Sequence, residues 1–258
     1  MNVQQKASAL KQRLAEGDTV LGCFLSLGSA STSELMGNAG YDWALVDLEH
    51  GAGGEAEALH QIQALAGTPA AAIVRVESHA RQRAHRMLDL GAHGIMFPRT
   101  DTSDDARDAA AAMNYPPLGV RGVAFSNRAC EYGSNFQPYL EASADALLTI
   151  VQIETRTAVE NVDAIASVRG VDVLFIGPTD LSHSYGILGE FDHPDFLHAI
   201  DLTVAAAKRH GKSLGILLPK PPDFTHYHDL GFRFIASGSD AVLLNNTARA
   251  LVKSIREM

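Results

Sequence analysis

Short apolar runs recur along this sequence, and each is followed by a segment in which apolar residues have helical spacing. Most of the runs lack apolar–polar alternation, which is typical of strands buried on both faces of a parallel sheet. The predicted strands are Val20–Leu25, Trp43–Asp47, Ala71–Val76, Gly94–Pro98, Leu147–Ile153, Val171–Ile176, Ser213–Leu218 and Phe232–Ala236. The predicted helices between and after them are Ser33–Ala39, Glu55–Leu65, Ala80–Leu90, Asp104–Met113, Ala158–Val168, Phe196–His210, Asp223–Leu230 and Asp240–Glu257. Eight strand–helix units favour an α/β fold with one closed barrel of parallel strands, the (β/α)8 or TIM barrel.

The length and the turn signals of the chain agree with one barrel. Its 258 residues contain no linker and no change of composition, which predicts a single domain over residues 1–258. Ser31-x-x-Glu34 and Thr157-x-x-Glu160 have the form of capping boxes and predict two helix starts. The alternative is a doubly wound open sheet, which normally has fewer strands and a GxGxxG turn after the first strand, and this sequence has no such turn.

Charge and cysteine content exclude several classes of protein. The formal net charge of −9 argues against nucleic-acid binding, because an acidic surface repels phosphate. No apolar run approaches the roughly 18 residues that a membrane span requires. Cys23 and Cys130 form no CxxC pair, a pattern that fits a reducing compartment. The apolar stretch Val20–Leu27 follows acidic residues where a secretory signal has basic ones, so we expect a cytoplasmic protein.

Two further segments are notable. Residues 114–143 form a long polar stretch with glycines, and we expect it to be an active-site loop over the C-terminal mouth of the barrel. Residues 240–257 form an amphipathic C-terminal helix, which could pack on its own barrel or on a neighbouring copy.

Acidic residues follow two neighbouring predicted strands at the end of the barrel where active sites form. Glu154 follows the fifth strand and Asp180 the sixth, so their carboxylates could approach a common point. Two such carboxylates repel one another, and a divalent cation such as Mg²⁺ or Mn²⁺ would relieve the repulsion. In the alternative interpretation each acid only caps the helix that follows it.

A histidine and an arginine follow other strands at the same end. His50 follows the second strand, three residues after Asp47, and an imidazole beside a carboxylate is a common acid–base arrangement. Arg75 ends the third strand and needs an anionic partner, either a substrate oxygen or a carboxylate of the second strand's exit. Asp89 lies in an apolar helix end, where it would form a structural ion pair or orient a catalytic histidine.

Covalent chemistry has weaker support in the sequence. A Schiff-base enzyme needs a desolvated lysine in its site, and only Lys220 follows a strand closely. The prolines around Lys220 favour an exposed turn, and the chain has no GxSxG motif for a nucleophilic serine.

Four segments, Tyr41–His50, Val151–Glu154, Phe175–Ser182 and Gly231–Asp240, resemble the HpcH/HpaI aldolase family of class II pyruvate aldolases. The resemblance extends from roughly residue 5 to residue 255 with the motifs in the same order. It implies an aldehyde-lyase that uses Mg²⁺, Mn²⁺ or Co²⁺. Such an enzyme reversibly cleaves 4-hydroxy-2-oxo acids to pyruvate, or hydroxypyruvate, and an aldehyde through an enolate held by the metal. It also implies a homo-oligomer, usually a hexamer.

The resemblance further implies roles for single residues. Glu154 and Asp180 match the metal ligands, His50 matches the acid–base histidine, Asp89 matches its partner and Arg75 matches the arginine that holds the keto oxygen. The expected substrate-binding set is Gln152, Gly177, Pro178, Thr179, Asp47 and Arg121.

The sequence departs from many relatives around the aldehyde side of the site. Arg99 stands where relatives often have an uncharged residue, and Gly51–Gly54 replaces a segment that often contains proline. Together with Arg121 and Arg128, Arg99 suggests an acidic or polyhydroxy aldehyde, unless these arginines pair with surface carboxylates. The alternative functions are an acyl-CoA lyase of the citrate lyase-like superfamily and a non-catalytic barrel that binds a metabolite.

Overall fold

The computed structural model describes all 258 residues and contains a closed barrel of eight parallel strands. Each strand pairs with its neighbour in the sequence, and β8 pairs with β1 to close the barrel. The strands are β1 Val20–Leu25, β2 Trp43–Asp47, β3 Ala71–Arg75, β4 Gly94–Phe97, β5 Leu148–Ile153, β6 Val173–Ile176, β7 Ser213–Leu217 and β8 Phe232–Ser239. The predicted TIM barrel is therefore confirmed.

Twelve α-helices precede, surround or follow the barrel strands. They are α1 Val3–Ala15, α2 Ala30–Asn38, α3 Glu55–Ala66, α4 Arg81–Asp89, α5 Ser103–Met113, α6 Phe136–Ala146, α7 Arg156–Glu160, α8 Val162–Ala166, α9 Pro178–Ser184, α10 Pro194–His210, α11 Phe224–Asp229 and α12 Asp240–Arg256. None of these helices is both long enough and apolar enough to cross a membrane.

The barrel interior is filled by large side chains, and its floor is closed by α1. The rings of Trp43 and Phe234 stack with 4.0 Å between centroids. Gly22 lies against Trp43, where a Cβ atom would come within 2.1 Å of the indole, so only glycine fits there. Leu10 and Leu14 of α1 belong to the same interior cluster, which seals the N-terminal end of the barrel. The opposite, C-terminal end remains open for a site.

Both predicted capping boxes are wrong by two residues. The N-cap of α2 is Ser29, whose Oγ accepts from the Thr32 amide, and the N-cap of α7 is Thr155. Each of these residues has extended backbone geometry, while Ser31 and Thr157 already lie within the first turn. The single helix predicted over residues 158–168 is also two short helices, α7 and α8, which meet at a non-helical junction residue.

The predicted loop over residues 114–143 is replaced by ordered structure at the opposite end of the barrel. It contains a 3₁₀ helix, Arg128–Gly133, and the start of α6. The Arg128 guanidinium donates to the Leu90 carbonyl at the end of α4, and Asn135 donates to Gln4 of α1. Because the helices of a (β/α)8 barrel run antiparallel to its strands, these contacts place the segment at the N-terminal end, away from the mouth.

The C-terminal helix α12 lies off its own barrel. Every residue from Val242 to Met258 is exposed, including apolar side chains such as Leu244 and Ile255. Asp240, the first residue of α12, is buried and accepts hydrogen bonds from Ser26 and Thr32. The helix is therefore anchored at one end and has no apolar cover within this chain.

Candidate active site

The C-terminal ends of β2, β3, β5 and β6 surround one cavity of about 400 Å³ at the mouth of the barrel. Seven residues predicted from the strand ends line this cavity, together with three aromatic or aliphatic residues that the sequence patterns do not single out. The lining residues are Phe24, His50, Arg75, Gln152, Phe175, Gly177, Pro178, Thr179, Asp180 and Leu217. We name this space the central cavity.

Glu154 follows β5 and is only 3% exposed, with two donors already on its carboxylate. The amide of Arg99 donates to Oε1 at 2.7 Å, and the Gln152 side-chain amide donates to Oε2 at 2.8 Å. The pKa of the Glu154 carboxyl is raised to about 7, mainly by burial and to a smaller extent by the nearby Asp180 carboxylate. A cation beside this buried acid would stabilise its ionised form.

The start of α9 presents a second carboxylate to the same place. Asp180 is exposed in the first turn of α9, and Gly177 caps that helix. A Cβ atom at Gly177 would lie 2.6 Å from Glu154 Oε2, so the glycine lets the two chain segments approach closely. The first turn of a helix leaves its amides without intrahelical acceptors, and Thr179 and Asp180, in the first turn of α9, line the central cavity.

These residues fit a divalent cation with few protein ligands. No three His, Cys, Asp or Glu side chains group as a metal cluster, so Glu154 and Asp180 would be the only such protein ligands. Mg²⁺ commonly binds one or two carboxylates and completes its shell with water and substrate oxygens. Gln152 Oε1 is buried without a hydrogen-bond partner, so a donor group bound in this region would find a free acceptor there.

Arg75 is held rigidly by the exit of β2. Its Nε and Nη2 donate to the two oxygens of Asp47 at 3.0 and 2.7 Å, and Nη1 lies 2.9 Å from Glu49 Oε2. The guanidinium also lies over the Phe24 ring, with 5.2 Å to its centroid. The arginine is 7% exposed and lines the central cavity, so its remaining N–H donors are available to an oxygen bound there.

Asp47 has a positioning role in this arrangement. Besides the two bonds to Arg75, its Oδ1 accepts from the amides of Glu49 and His50, which fixes the turn after β2. Its carboxylate is thus occupied by protein donors, and the structure does not place it in the central cavity.

His50 lies at the rim of the cavity with an exposed imidazole. Its Nε2 is 3.8 Å from Glu49 Oε2, so the nearest carboxylate is that of the adjacent residue. Desolvation raises the pKa of Glu49, while Arg75 and His50 lower it. The imidazole is therefore free to reach a bound molecule, with a carboxylate beside it.

Asp89 and Arg121 lie elsewhere, so an intrachain pair between Asp89 and His50 is wrong, as is an Arg121 contact with substrate in its own barrel. Asp89 ends α4, about 12 Å along that helix from its start at the mouth side. It accepts from Arg121 at 2.9 Å and from Asn127 at 3.0 Å. Arg121 is 1% exposed and its guanidinium lies over the rings of Tyr115 and Tyr139. Its charge is neutralised by Asp89 at the end of α4.

A second space, of about 470 Å³, opens beside the central cavity and has an entirely polar wall. Its lining residues are Glu49, His50, Arg99, Glu154, Thr155, Arg156, Thr157, Asp180, His183 and Ser184. We name it the polar lobe. Arg156 and His183 are not predicted as site residues, although Arg156 stands two positions after Glu154 and His183 three after Asp180.

Comparisons with known proteins show to which family the chain is similar. The family model described as HpcH/HpaI aldolase/citrate lyase matches residues 20–247. A 5-keto-4-deoxy-D-glucarate aldolase of Salmonella paratyphi C is 38% identical over 247 residues, which cover 96% of each chain.

Solved structures give the same result. An HpcH/HpaI aldolase/citrate lyase family protein from Burkholderia cenocepacia superposes with a TM-score of 0.92 at 36% identity, over 96% of this chain and 99% of that one. An HpcH/HpaI aldolase from Desulfitobacterium hafniense gives a TM-score of 0.89 at 30% identity, over 96% and 97%. The chain belongs to the HpcH/HpaI aldolase/citrate lyase family and is a carbon–carbon lyase.

Proposed function

We propose that this protein is a class II aldolase that cleaves 4-hydroxy-2-oxo acids to pyruvate, or hydroxypyruvate, and an aldehyde, and that also runs the reverse reaction. The observation that carries the proposal is the convergence of four residues on two adjoining spaces at the mouth: Arg75 lines the central cavity, Glu154 lines the polar lobe, and Asp180 and His50 line both. The aldolase name of the Salmonella relative supports the same reaction class.

The central cavity offers donors for both ends of a 2-oxo acid. Arg75 would donate to the keto oxygen, since its other donors are fixed on Asp47 and Glu49. The Gln152 side chain and the first amides of α9, at Thr179 and Asp180, would hold the carboxylate. Gly177 and Pro178 shape this end of the cavity by bringing the start of α9 against Glu154.

Cleavage breaks the bond between C3 and C4 of the substrate. His50 would accept the proton of the 4-hydroxyl group as that oxygen becomes the aldehyde carbonyl. The bonding electrons move into the C2–C3 bond and place negative charge on the keto oxygen, where the Arg75 guanidinium stabilises it. Protonation at C3 then gives pyruvate, and the condensation reaction follows the same steps in reverse.

Glu154 and Asp180 would hold Mg²⁺, Mn²⁺ or Co²⁺, and such an ion supplies Lewis-acid stabilisation of the developing oxyanion when bound. The pair suits this role because their charges repel in the absence of a cation.

A direct test follows pyruvate in D₂O by proton NMR, with the purified protein in EDTA and then with added Mg²⁺, Mn²⁺ or Co²⁺. We expect exchange of the methyl protons with metal, and aldol products when aldehydes are added. The variant Glu154→Ala should lose both activities. Absence of exchange and of aldol product with every metal would overturn the proposal.

The Schiff-base alternative gains no support from the structure. Lys220 is exposed after β7 and does not line the central cavity or the polar lobe. Borohydride reduction in the presence of pyruvate should therefore leave its mass unchanged. The acyl-CoA lyase and the non-catalytic barrel are not favoured either, because the curated relatives at 38% identity are aldolases.

We also propose that the protein acts as a homo-oligomer, a hexamer by the resemblance. The uncovered apolar side chains of α12, and those of Leu118 and Phe125, support association between copies. Because Asp89 lies far from His50 within one chain, a role for Asp89 beside an imidazole requires a second copy. Light scattering after size-exclusion chromatography tests the assembly, and a monomer at micromolar concentration would contradict it.

A further inference from the structure

We propose that Thr100 and His79 are positioning residues for the metal ligand Glu154, and that they set the affinity of the site for its divalent cation. They would do so by holding the loop after β4 in the conformation from which the Arg99 amide donates to Glu154. The inference rests on the proposed function, because that function makes Glu154 a ligand of the cation. Neither Thr100 nor His79 lines the central cavity or the polar lobe, so any effect on the cation must pass through other residues.

The loop between β4 and α5, residues 98–102, binds the exit of β5 through two consecutive residues. We name it the β4 loop. The Arg99 amide donates to Glu154 Oε1 at 2.7 Å, and the Thr100 amide donates to the Gln152 carbonyl at 3.2 Å. Since β4 and β5 are paired neighbours in the barrel, these bonds continue the contact between the two strands beyond their last paired residues.

Both hydrogen bonds on the Glu154 carboxylate depend on the β4 loop. One comes directly from the Arg99 amide. The other comes from the Gln152 side chain, which donates to Oε2 at 2.8 Å, and the backbone carbonyl of Gln152 is the acceptor for Thr100. A displacement of the β4 loop would therefore move the carboxylate itself and change the direction in which it meets a cation.

Arg99 has a backbone conformation that arginine does not favour. Its φ is +46°, one of three positive values among the non-glycine residues of the chain. Such a backbone costs roughly 1–3 kcal/mol and persists only where the surrounding contacts fix it. Besides the bond to Glu154, those contacts belong to the next residue, Thr100, whose side chain is fully buried and whose amide and hydroxyl are both engaged.

His79 fixes the Thr100 hydroxyl from the neighbouring loop, the one after β3. Its Nε2 lies 3.1 Å from Thr100 Oγ1. The imidazole is itself oriented by Phe97, the last residue of β4, with which it stacks at 5.9 Å between centroids and 7° between planes. The contacts therefore extend without a break from the exit of β3, through Thr100, to the two donors on Glu154.

Removal of a group that holds a metal ligand in place typically weakens metal binding or activity by about 10- to 100-fold. Thr100→Val keeps the shape of the side chain and removes the hydroxyl, while His79→Phe keeps a ring against Phe97 and removes the nitrogen. We expect each to raise the Kd for Mn²⁺ about 10-fold, the lower end of that range, because the hydroxyl acts through the loop backbone.

The experiment titrates metal-free protein with Mn²⁺ and measures the free ion by electron paramagnetic resonance, without substrate, so that it reports binding and not activity. Thr100→Ser and His79→Gln are the conservative variants, since serine keeps the hydroxyl and the glutamine amide can replace Nε2. Both should stay close to the wild-type Kd. The double variant Thr100→Val/His79→Phe should bind Mn²⁺ as weakly as either single variant, because both substitutions remove the same hydrogen bond.

Thr203→Val is the matched control, because it also removes a buried hydroxyl. Thr203 is fully buried in α10, where its hydroxyl donates to the Ala199 carbonyl at 2.9 Å, and this variant should bind Mn²⁺ like wild-type protein. An unchanged Kd in Thr100→Val and His79→Phe, an equal loss in Thr203→Val, or losses that multiply in the double variant would overturn the inference. If Glu154→Ala binds Mn²⁺ as tightly as wild-type protein, the ligand role in the proposed function fails, and this inference fails with it.

Discussion

Replacing Glu154 by glutamine should make the metal-free protein more stable at alkaline pH while abolishing its activity. The buried carboxyl has its pKa raised from 4.5 to about 7, mainly by desolvation. Glutamine has nearly the same shape as glutamate but carries no charge. Its oxygen would still accept from the Arg99 amide. Its new N–H₂ group would replace the oxygen that accepts from Gln152 Nε2, so the Gln152 amide turns over and presents Oε1, which has no partner in the wild-type protein, as the acceptor.

The sign of the effect follows from proton linkage. Because the folded-state pKa exceeds the unfolded one, the folded protein holds this proton more tightly, and wild-type stability falls as pH rises from about 4.5 through about 7. The full shift corresponds to about 3 kcal/mol above pH 7.5, at 1.36 kcal/mol per pKa unit. At pH 5 only a small part applies, less than about 1 kcal/mol.

Urea denaturation in EDTA, at equal protein concentration, measures the unfolding free energy of the wild-type protein and of the variant at pH 5 and at pH 8. We expect a large gain in the unfolding free energy of Glu154→Gln at pH 8 and little change at pH 5. Added Mn²⁺ should stabilise the wild-type protein and not the variant. The control is Glu34→Gln, an exposed position on α2 that should change neither value. An equal gain at both pH values, or lower stability of Glu154→Gln at pH 8, would refute the reasoning.

Three other substitutions test separate parts of the structure. Arg75→Lys loses the two-point contact with Asp47 and the donor aimed at the keto oxygen, so kcat/KM should fall at least about 100-fold, and the unfolding free energy should fall by about 1.5–3 kcal/mol. Near-normal kinetics of the folded variant would contradict this role. Asp89→Ala leaves the buried Arg121 charge unpaired and should lower the unfolding free energy by about 3 kcal/mol, an effect that a double variant with Arg121→Met should reverse in part. Asp240→Ala removes the acceptor that ties α12 to the loop after β1; we expect a loss of about 2–4 kcal/mol, and an unchanged melting temperature would contradict the anchor.

The strands and the mouth of the barrel were predictable because both follow from local patterns. A parallel strand buried on both faces must be apolar throughout, and β1 and β2 have the predicted bounds. Because all eight strands are parallel, their C-terminal ends lie at the same end of the barrel. This alone predicts that Glu154 after β5 lies near Asp180 after β6, without any knowledge of side-chain contacts.

Pairings between distant residues were not predictable in the same way. Asp89 and Arg121 are 32 positions apart, and no local pattern shows that their charges meet at the end of α4. The segment after α5 has the polar composition of a loop, yet the Arg128 contact with a helix end and the packing of α6 on α1 draw it to the floor of the barrel. The two capping boxes were misplaced for a different reason: Ser31 and Thr157 are the second residues of their helices, and the residues that cap those helices, Ser29 and Thr155, have no glutamate three positions later.

The contact between Arg99 and Glu154 has an evolutionary consequence. It is made by the main-chain amide, so it depends on the backbone conformation at position 99 and not on the arginine side chain. Any residue that tolerates a left-handed backbone there can preserve the environment of the buried acid. The side chain at position 99 can therefore change in descendants of this protein while the hydrogen bond to Glu154 is kept.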